Sequence, residues 1–116
     1  MAPVVVMSGD EPVEAIGAPG ASWITPAVAQ GISYILDFGM NAQEAVMAPR
    51  VVATSNAIDI SNRIPRRVQT AVEDMGYEVR RSALSYAFAG VHALTRFEGT
   101  LAGGADPQRA RVASGV

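Results

Sequence analysis

The chain has 116 residues and a mass of 12.1 kDa, which corresponds to one domain or part of one and excludes two independent cores. Hydrophobic residues make up 49% of the chain and charged residues only 17%, a balance that excludes intrinsic disorder. The nine basic residues are all arginines, and eleven acidic residues bring the net charge to −2, which removes the main driving force for nucleic-acid binding.

Reactive side chains are scarce. The absence of cysteine excludes disulfides, a thiolate nucleophile and a cysteine-based zinc site, and the single His92 cannot form a multi-histidine metal cage. Residues 1–7 lack the basic flank and the cleavage pattern of a signal peptide, so no targeting segment is predicted. Residues 15–36 carry no charge, but their glycines and prolines argue against a membrane-spanning helix.

The start of the chain is predicted to form an antiparallel hairpin. β-type runs at residues 3–7 and 13–16 flank residues 8–11, whose glycine and aspartate suit a tight turn. A loop at residues 17–22 then leads into a helical pattern. Thr25 and Pro26 fit the N-cap and the first helical residue, and Ser22 is an alternative start. The apolar spacing continues to Leu36, and Gly39 is a natural stop.

Two more helices and several strands are predicted downstream. Asn41 and Glu44 have the spacing of a capping box, which opens a short helix that ends before Pro49. A third helical stripe lies between Pro65 and Gly76. Strands are predicted at residues 51–53, 57–60, 77–81, 86–96 and 101–102, with a turn at 97–100 and a loop-like tail at 103–109. The fold class is therefore α+β, a single segment of antiparallel strands with helices on one face.

The glycines of the first loop have two interpretations. Gly17 and Gly20 precede a helix and would suit an anion cradle, and Asp37 lies about where a ribose-binding acid would lie in a dinucleotide fold. Such a fold needs a parallel βαβ unit, whereas here a hairpin arm precedes the loop and a second helix follows the first. A structural turn is the favoured interpretation.

Other motifs have simpler explanations. The triplet Asp37-Phe38-Gly39 occurs in protein kinases, but the accompanying kinase motifs are absent. His92 has no acid or serine at a spacing that suggests a triad, so it is interpreted as a packed or surface histidine without a chemical role.

Charged residues at the ends of elements are interpreted as solvated. Arg66-Arg67 and Arg80-Arg81 flank the third helix, where an acidic partner is the less favoured alternative. Asp106 and Arg109 are spaced to pair across an exposed turn, and such a pair contributes little stability.

Four segments follow one another in an order that is more specific than any one of them. They are Met1-Ala-Pro3, Gly17-Ala-Pro-Gly20-Ala-Ser22, Leu36-Asp-Phe-Gly-Met-Asn41-x-x-Glu44-Ala45 leading to Ala48-Pro49-Arg50, and Gly104-Ala-Asp106-Pro107-x-Arg109. In this order the chain resembles the C-terminal part of the small subunit of γ-glutamyltransferases, which are N-terminal-nucleophile hydrolases. The resemblance implies a partial αββα sandwich, to which this segment supplies strands and one helical layer.

The resemblance implies acyl-transfer chemistry without a cofactor. In this family the N-terminal threonine of the small subunit attacks a γ-glutamyl amide such as glutathione, with its own α-amine as the base, and forms a γ-glutamyl ester. Water or an amine then resolves the ester, so the complete enzyme is a hydrolase or an acyltransferase of glutathione metabolism. Family members are often exported, but the chain carries no signal and its compartment is left open.

The implied site residues of this chain are Gly20 and Ala21. They match a Gly-Gly pair whose backbone N–H groups stabilise the oxyanion in the family. Alanine would be strained there only if the loop required a positive φ. Trp23 stands where the family usually has arginine, residues 51–55 lack its usual aromatic and histidine residues, and Val116 replaces a usual terminal tyrosine. These departures leave the substrate open.

The nucleophile has no counterpart in these residues. By the resemblance, Met1 aligns just after a substrate-binding serine pair, and the nucleophilic threonine lies farther upstream. The threonines present are internal and do not match it: Thr25, Thr54, Thr70, Thr95 and Thr100. The chain alone is therefore expected to be inactive and to need the N-terminal part of the same enzyme as its partner. The alternative is an inert remnant or interaction module.

Overall fold

The structure, a computed structural model, describes residues 3–19, 21–83 and 88–107. A short 3-10 helix occupies Ala21–Trp23. The other elements, in chain order, are β1 (Val4–Ser8), β2 (Glu11–Gly17), α1 (Ile24–Leu36), α2 (Ala42–Met47), β3 (Val51–Val52), β4 (Ala57–Ile60), α3 (Arg66–Asp74), β5 (Glu78–Arg81), β6 (His92–Phe97) and β7 (Thr100–Ala105). Strands and helices in this proportion confirm the α+β class.

The larger sheet, called the main sheet here, has four antiparallel strands in the order β1-β2-β6-β7. The predicted hairpin is confirmed as β1 and β2. Gly9 in its turn has a φ of +62°, which glycine adopts without strain. The predicted turn between the last two strands is also confirmed, since Glu98 and Gly99 both have positive φ between β6 and β7.

The small sheet, β3-β4-β5, departs from the expected antiparallel arrangement. β3 and β4 are antiparallel, but β4 and β5 are parallel and are connected through α3. Parallel neighbours need a long crossover, and the predicted third helix provides it. The β4–β5 pair is thus a parallel exception among strand pairs that are otherwise antiparallel.

The first helix begins at a different residue from the one favoured in the sequence. Trp23 is its N-cap, so Thr25 and Pro26 lie inside the first turn, and the alternative start at Ser22 lies within the preceding 3-10 helix. Proline is tolerated there because the N–H groups of a first helical turn have no intrahelical acceptor. The capping box of α2 is confirmed in both directions between Asn41 and Glu44.

The last two strands differ in length from the prediction. β6 begins at His92 and not at residue 86; residues 84–87 lie outside the described chain, and 88–91 are irregular. β7 continues to Ala105, so residues 103–105 of the predicted loop belong to a strand. β7 passes close to α2 at Gly104, where a Cβ would lie 2.4 Å from the carbonyl oxygen of Ala42. The absence of a side chain at Gly104 permits this close approach.

The core lies between α1, α2 and one face of the main sheet. Ile16 and Ala93 point toward the helices and are buried, together with side chains such as Val28 of α1 and Val46 of α2. Burying an aliphatic side chain of this size contributes about 1.5–3 kcal/mol. Alternate residues point to the other face, which is called the open face here and exposes the apolar side chains of Val5, Leu94 and Leu101.

Glutamine side chains occupy two strand edges. Gln43 of α2 donates to the carbonyl oxygen of Ala105 and accepts from its N–H, both at 3.2 Å. Gln30 of α1 makes the same pair of bonds with Val51 of β3, at 2.6 and 2.9 Å. Each side-chain amide thus takes the place that a neighbouring strand would take.

Candidate functional site

Parts of three segments that carry the family resemblance meet at one end of the main sheet: Pro3, Gly17 to Pro19, and Gly104 with Ala105. In the register of the strands, Val4 lies opposite Ile16, and His92 lies opposite both Gly17 and Ala105. The start of β1, the end of β2, the start of β6 and the end of β7 therefore lie at the same end of the main sheet. The loop that follows Gly17 also leaves the sheet at this end.

A cavity of about 490 Å³ opens at this end of the main sheet. Its lining includes Val5 and Leu94 of the open face, together with Gly17, Ala18 and Pro19 of the loop. Among the residues that line it, His92 has the only polar side chain. The cavity is thus an apolar site with a single polar group, a combination typical of a binding pocket.

The predicted oxyanion residues are only partly described by the structure. Gly20 lies outside the described residues, so its N–H direction stays a prediction. Ala21 opens the 3-10 helix, a conformation with negative φ that alanine adopts without strain. The strain considered for this position therefore does not arise.

An aromatic pair holds the turn after this loop against the segment that precedes β6. The rings of Trp23 and Phe88 stack with centroids 5.0 Å apart, and Phe88 is buried. Such a pair contributes about 0.5–1.5 kcal/mol beyond its buried area. A stacked tryptophan therefore stands next to the loop, at the position where the resemblance leads one to expect arginine.

A buried ion pair is bonded to the main chain of the same segment. Arg50 and Asp106 lie 3.1 Å apart with side chains only 4% and 1% exposed. Arg50 Nη1 also donates to the carbonyl oxygen of Ala89 at 2.9 Å, and Nη2 donates to that of Val46. Asp106 Oδ2 accepts from the N–H of Val91 at 3.3 Å. Burial lowers the pKa of Arg50, and the charge of Asp106 raises it again.

This pair was missed in the sequence, where Asp106 was assigned to an exposed turn with Arg109. Asp106 is buried, and Arg109 lies outside the described residues. Sequence spacing gives no hint of a contact across 56 positions. The available signal was that Arg50 and Asp106 both belong to the segments that carry the family resemblance.

A second buried charge group, Glu14, lies on the helix-covered face of β2. It is 2% exposed, and neither carboxylate oxygen has a hydrogen-bond partner. Burial raises its pKa from 4.5 to about 7. Strand alternation places Glu14 on the same face as the apolar Ile16, and this is the signal from which its burial could have been predicted.

The nucleotide interpretation of the first loop is not supported. β2 has antiparallel neighbours on both sides, so the parallel βαβ unit of a dinucleotide fold does not form around it. Asp37 lies at the C-terminal end of α1, where its carboxylate accepts from the Ser33 hydroxyl at 2.7 Å. Phe38 beside it is exposed. Because Asp37 lies at the C-terminal end of α1, the triplet marks the end of a helix.

Within ranges 3–19, 21–83 and 88–107, no cluster of three acidic, histidine or cysteine side chains forms a metal site. None of the helices described here has the length and apolar character needed to cross a bilayer.

Known proteins similar to this chain share the family that its motifs indicate. The family model for γ-glutamyltranspeptidase matches residues 1–116. The glutathione hydrolase proenzyme of Bacillus subtilis (strain 168) is 28% identical over 117 residues, which cover 100% of this chain and 20% of that protein. The acylase ACY 1 proenzyme of Pseudomonas sp. (strain SE83) is 37% identical over 82 residues, 71% of this chain and 15% of the relative.

Solved structures agree with these relatives. A γ-glutamyltranspeptidase mutant of Helicobacter pylori superposes with a TM-score of 0.82 at 29% identity, covering 93% of this chain and 60% of that one. A cephalosporin acylase of Bacillus halodurans gives a TM-score of 0.85 at 26% identity, covering 91% of this chain and 20% of that one. The chain thus spans about a fifth or less of the length of the two proenzymes compared above. It belongs to the γ-glutamyltranspeptidase family of N-terminal-nucleophile hydrolases.

Proposed function

We propose that this chain is the C-terminal segment of an enzyme that hydrolyses or transfers γ-glutamyl groups. The observation that carries the proposal is the convergence of the loop after Gly17, the start of β1 and the apolar cavity at one end of the main sheet. In this proposal the attacking threonine and its α-amine come from a preceding part of the same enzyme, and the substrate is a γ-glutamyl compound such as glutathione.

Gly20 and Ala21 would stabilise the transition state through their backbone N–H groups. As the carbonyl carbon becomes tetrahedral its oxygen becomes negative, and preorganised donors at that position lower the barrier. Backbone donors do not depend on the side chain, so an alanine at position 21 serves as well as a glycine. The 3-10 helix that begins at Ala21 and the Trp23–Phe88 stack would keep this donor in place.

The oxyanion role is tested by removing one donor from the complete enzyme. Ala21→Pro deletes the N–H at the start of the 3-10 helix, a position where proline is compatible with the backbone. We expect kcat to fall about 10²- to 10³-fold. Ala21→Gly keeps the N–H and is the matched control, with kcat close to wild type. A proline variant that is folded and fully active would contradict the role.

The inactivity of the isolated chain is tested directly with a chromogenic γ-glutamyl anilide. We expect no release of the chromophore by the purified 116-residue chain, because no residue in it matches the nucleophile. Release by the chain alone would overturn this expectation.

An inert remnant or interaction module is the second candidate function. It is favoured by the exposed apolar side chains of Val5, Leu94 and Leu101 on the open face. Sedimentation at increasing concentration distinguishes it, because a remnant is expected to self-associate. If the reading frame continues upstream of Met1 to a small subunit that begins with threonine, the enzymatic proposal is favoured over the remnant.

A further inference from the structure

Trp23 links the turn that Ala21 opens to the segment that precedes β6. It is the last residue of the 3-10 helix and the N-cap of α1, where its side chain makes no capping hydrogen bond. The indole instead stacks on the ring of Phe88, with centroids 5.0 Å apart and 27° between the ring planes, and packs against the helix-covered core. The backbone next to the proposed donor is therefore held by a contact that is distant in the sequence.

The ring of Phe88 is a well-supported partner for this contact. Phe88 is only 5% exposed. The carbonyl oxygen of the next residue, Ala89, accepts from Arg50 Nη1 at 2.9 Å, and the N–H of Val91 donates to Asp106 Oδ2 at 3.3 Å. Both bonds come from the buried ion pair, so the segment that carries Phe88 cannot shift without breaking them.

The turn at Ala21 depends on tertiary contacts for its orientation. The bonds of a 3-10 helix run between residues three apart, and the N–H of a first helical residue has no intrahelical acceptor. In the proposed function, this N–H of Ala21 is a donor to the oxyanion. A single 3-10 turn has poorer hydrogen-bond geometry than an α-helix, so it does not fix the direction of that N–H by itself.

We propose that Trp23 is a positioning residue, which directs the N–H of Ala21 toward the oxyanion through its stack on Phe88. The inference rests on the proposed function and adds to it the side chains that orient the donor. A donor lowers the barrier when it already points to the place where negative charge develops. Loss of the stack should therefore slow the chemical step and leave the binding of substrate unchanged.

The test is a double-mutant cycle in the complete enzyme, with a chromogenic γ-glutamyl anilide as the substrate. Trp23→Leu removes the stacked ring. We expect kcat and kcat/KM to fall together by about three- to tenfold, the range that corresponds to one aromatic pair, with KM unchanged. Trp23→Phe retains a ring and should recover most of kcat. In an Ala21→Pro background, which lacks the donor, Trp23→Leu should lower kcat no further.

Phe38→Leu is the matched control, because it removes one ring of another aromatic pair, with Tyr34 of α1. Its kcat should equal that of wild type. An unchanged kcat in Trp23→Leu, or the same fall of kcat in both backgrounds, would overturn the inference while the proposed function stands. A folded and fully active Ala21→Pro enzyme would overturn the oxyanion role of Ala21 and this inference with it. If Trp23→Leu does not fold, the same cycle with Phe88→Leu, which removes the other ring, decides between these outcomes.

Discussion

Arg50, directly before β3, and Asp106, directly after β7, form an ion pair of 3.1 Å that is almost entirely shielded from water. Around it, Arg50 binds the carbonyl oxygens of Val46 and Ala89, and Asp106 binds the N–H of Val91. One ion pair thus joins a helix, a strand and the irregular segment that leads to His92.

Removal of one partner of this pair should be strongly destabilising. Arg50→Gln removes the cation that lies 3.1 Å from the buried carboxylate of Asp106, for which the expected loss is about 3–5 kcal/mol in the free energy of unfolding. Urea denaturation of the purified chain measures it. The control is Arg80→Gln, which breaks the Arg80–Asp59 pair, whose side chains are 56% and 20% exposed, and should cost less than about 1 kcal/mol. If both variants lost the same free energy of unfolding, the buried Arg50–Asp106 pair would contribute no more to stability than the exposed pair.

Glu14 should make stability depend on pH. Its pKa in the folded chain is about 7, against 4.5 for an unperturbed glutamate, so the unfolded chain loses its proton first as pH rises. The free energy of unfolding is therefore expected to fall between about pH 4.5 and 7, by on the order of 3 kcal/mol, and to level off above.

Glu14→Gln removes this ionisation and should flatten the pH dependence over the same interval. Glu11→Gln, on the same strand but exposed, should retain the wild-type slope. Thermal or urea unfolding at several pH values between 4 and 8 gives the three curves. A slope that persists in Glu14→Gln would assign the effect to another group.

The close approach of β7 to α2 predicts that Gly104 does not tolerate substitution by a residue with a side chain. In Gly104→Ala the new Cβ would lie 2.4 Å from the Ala42 carbonyl oxygen, a backbone atom that cannot move without the helix. We expect a loss of about 1–3 kcal/mol. In Gly31→Ala the nearest atom is Cδ1 of Ile16, the end of a flexible side chain, at 2.6 Å, and alanine is the better helix former. Chemical denaturation should find Gly31→Ala the less destabilising of the two.

The Trp23–Phe88 stack provides a spectroscopic probe next to the loop, since Trp23 is the single tryptophan. Phe88→Leu removes the stacked ring, and we expect a shift of the tryptophan emission together with a loss of about 1 kcal/mol. Phe38→Leu changes an exposed ring elsewhere and should leave the emission as it is. Identical spectra in all three proteins would show that the stack does not persist in solution.

Local patterns predicted most of the elements, and long-range contacts account for the differences. The hairpin at Gly9 and the Asn41–Glu44 capping box follow from neighbouring residues alone, and both are confirmed. The parallel pairing of β4 and β5 depends on the direction in which α3 crosses, which residue spacing does not encode.

The candidate site was less accessible to sequence reasoning than the fold. The buried position of Asp106 depends on an arginine 56 positions away, and the place of His92 depends on the register of three strands. The burial of Glu14 could have been predicted from strand alternation. The absence of a hydrogen-bond partner for its carboxylate depends on the residues that pack over it. The roles of Gly20 and Ala21 come from the family resemblance and stay predictions.

The bonds between Gln43 and Ala105 bear on how the isolated chain would aggregate. β7 is an outer strand of the main sheet, and the main-chain groups of Ala105 that face away from β6 are already saturated by the glutamine. An incoming strand from another molecule would have to break both bonds before it could extend the sheet at this end. Addition of a strand at the end of β7 is therefore disfavoured. Association through the apolar open face requires no broken hydrogen bonds and is the more favourable mode of aggregation.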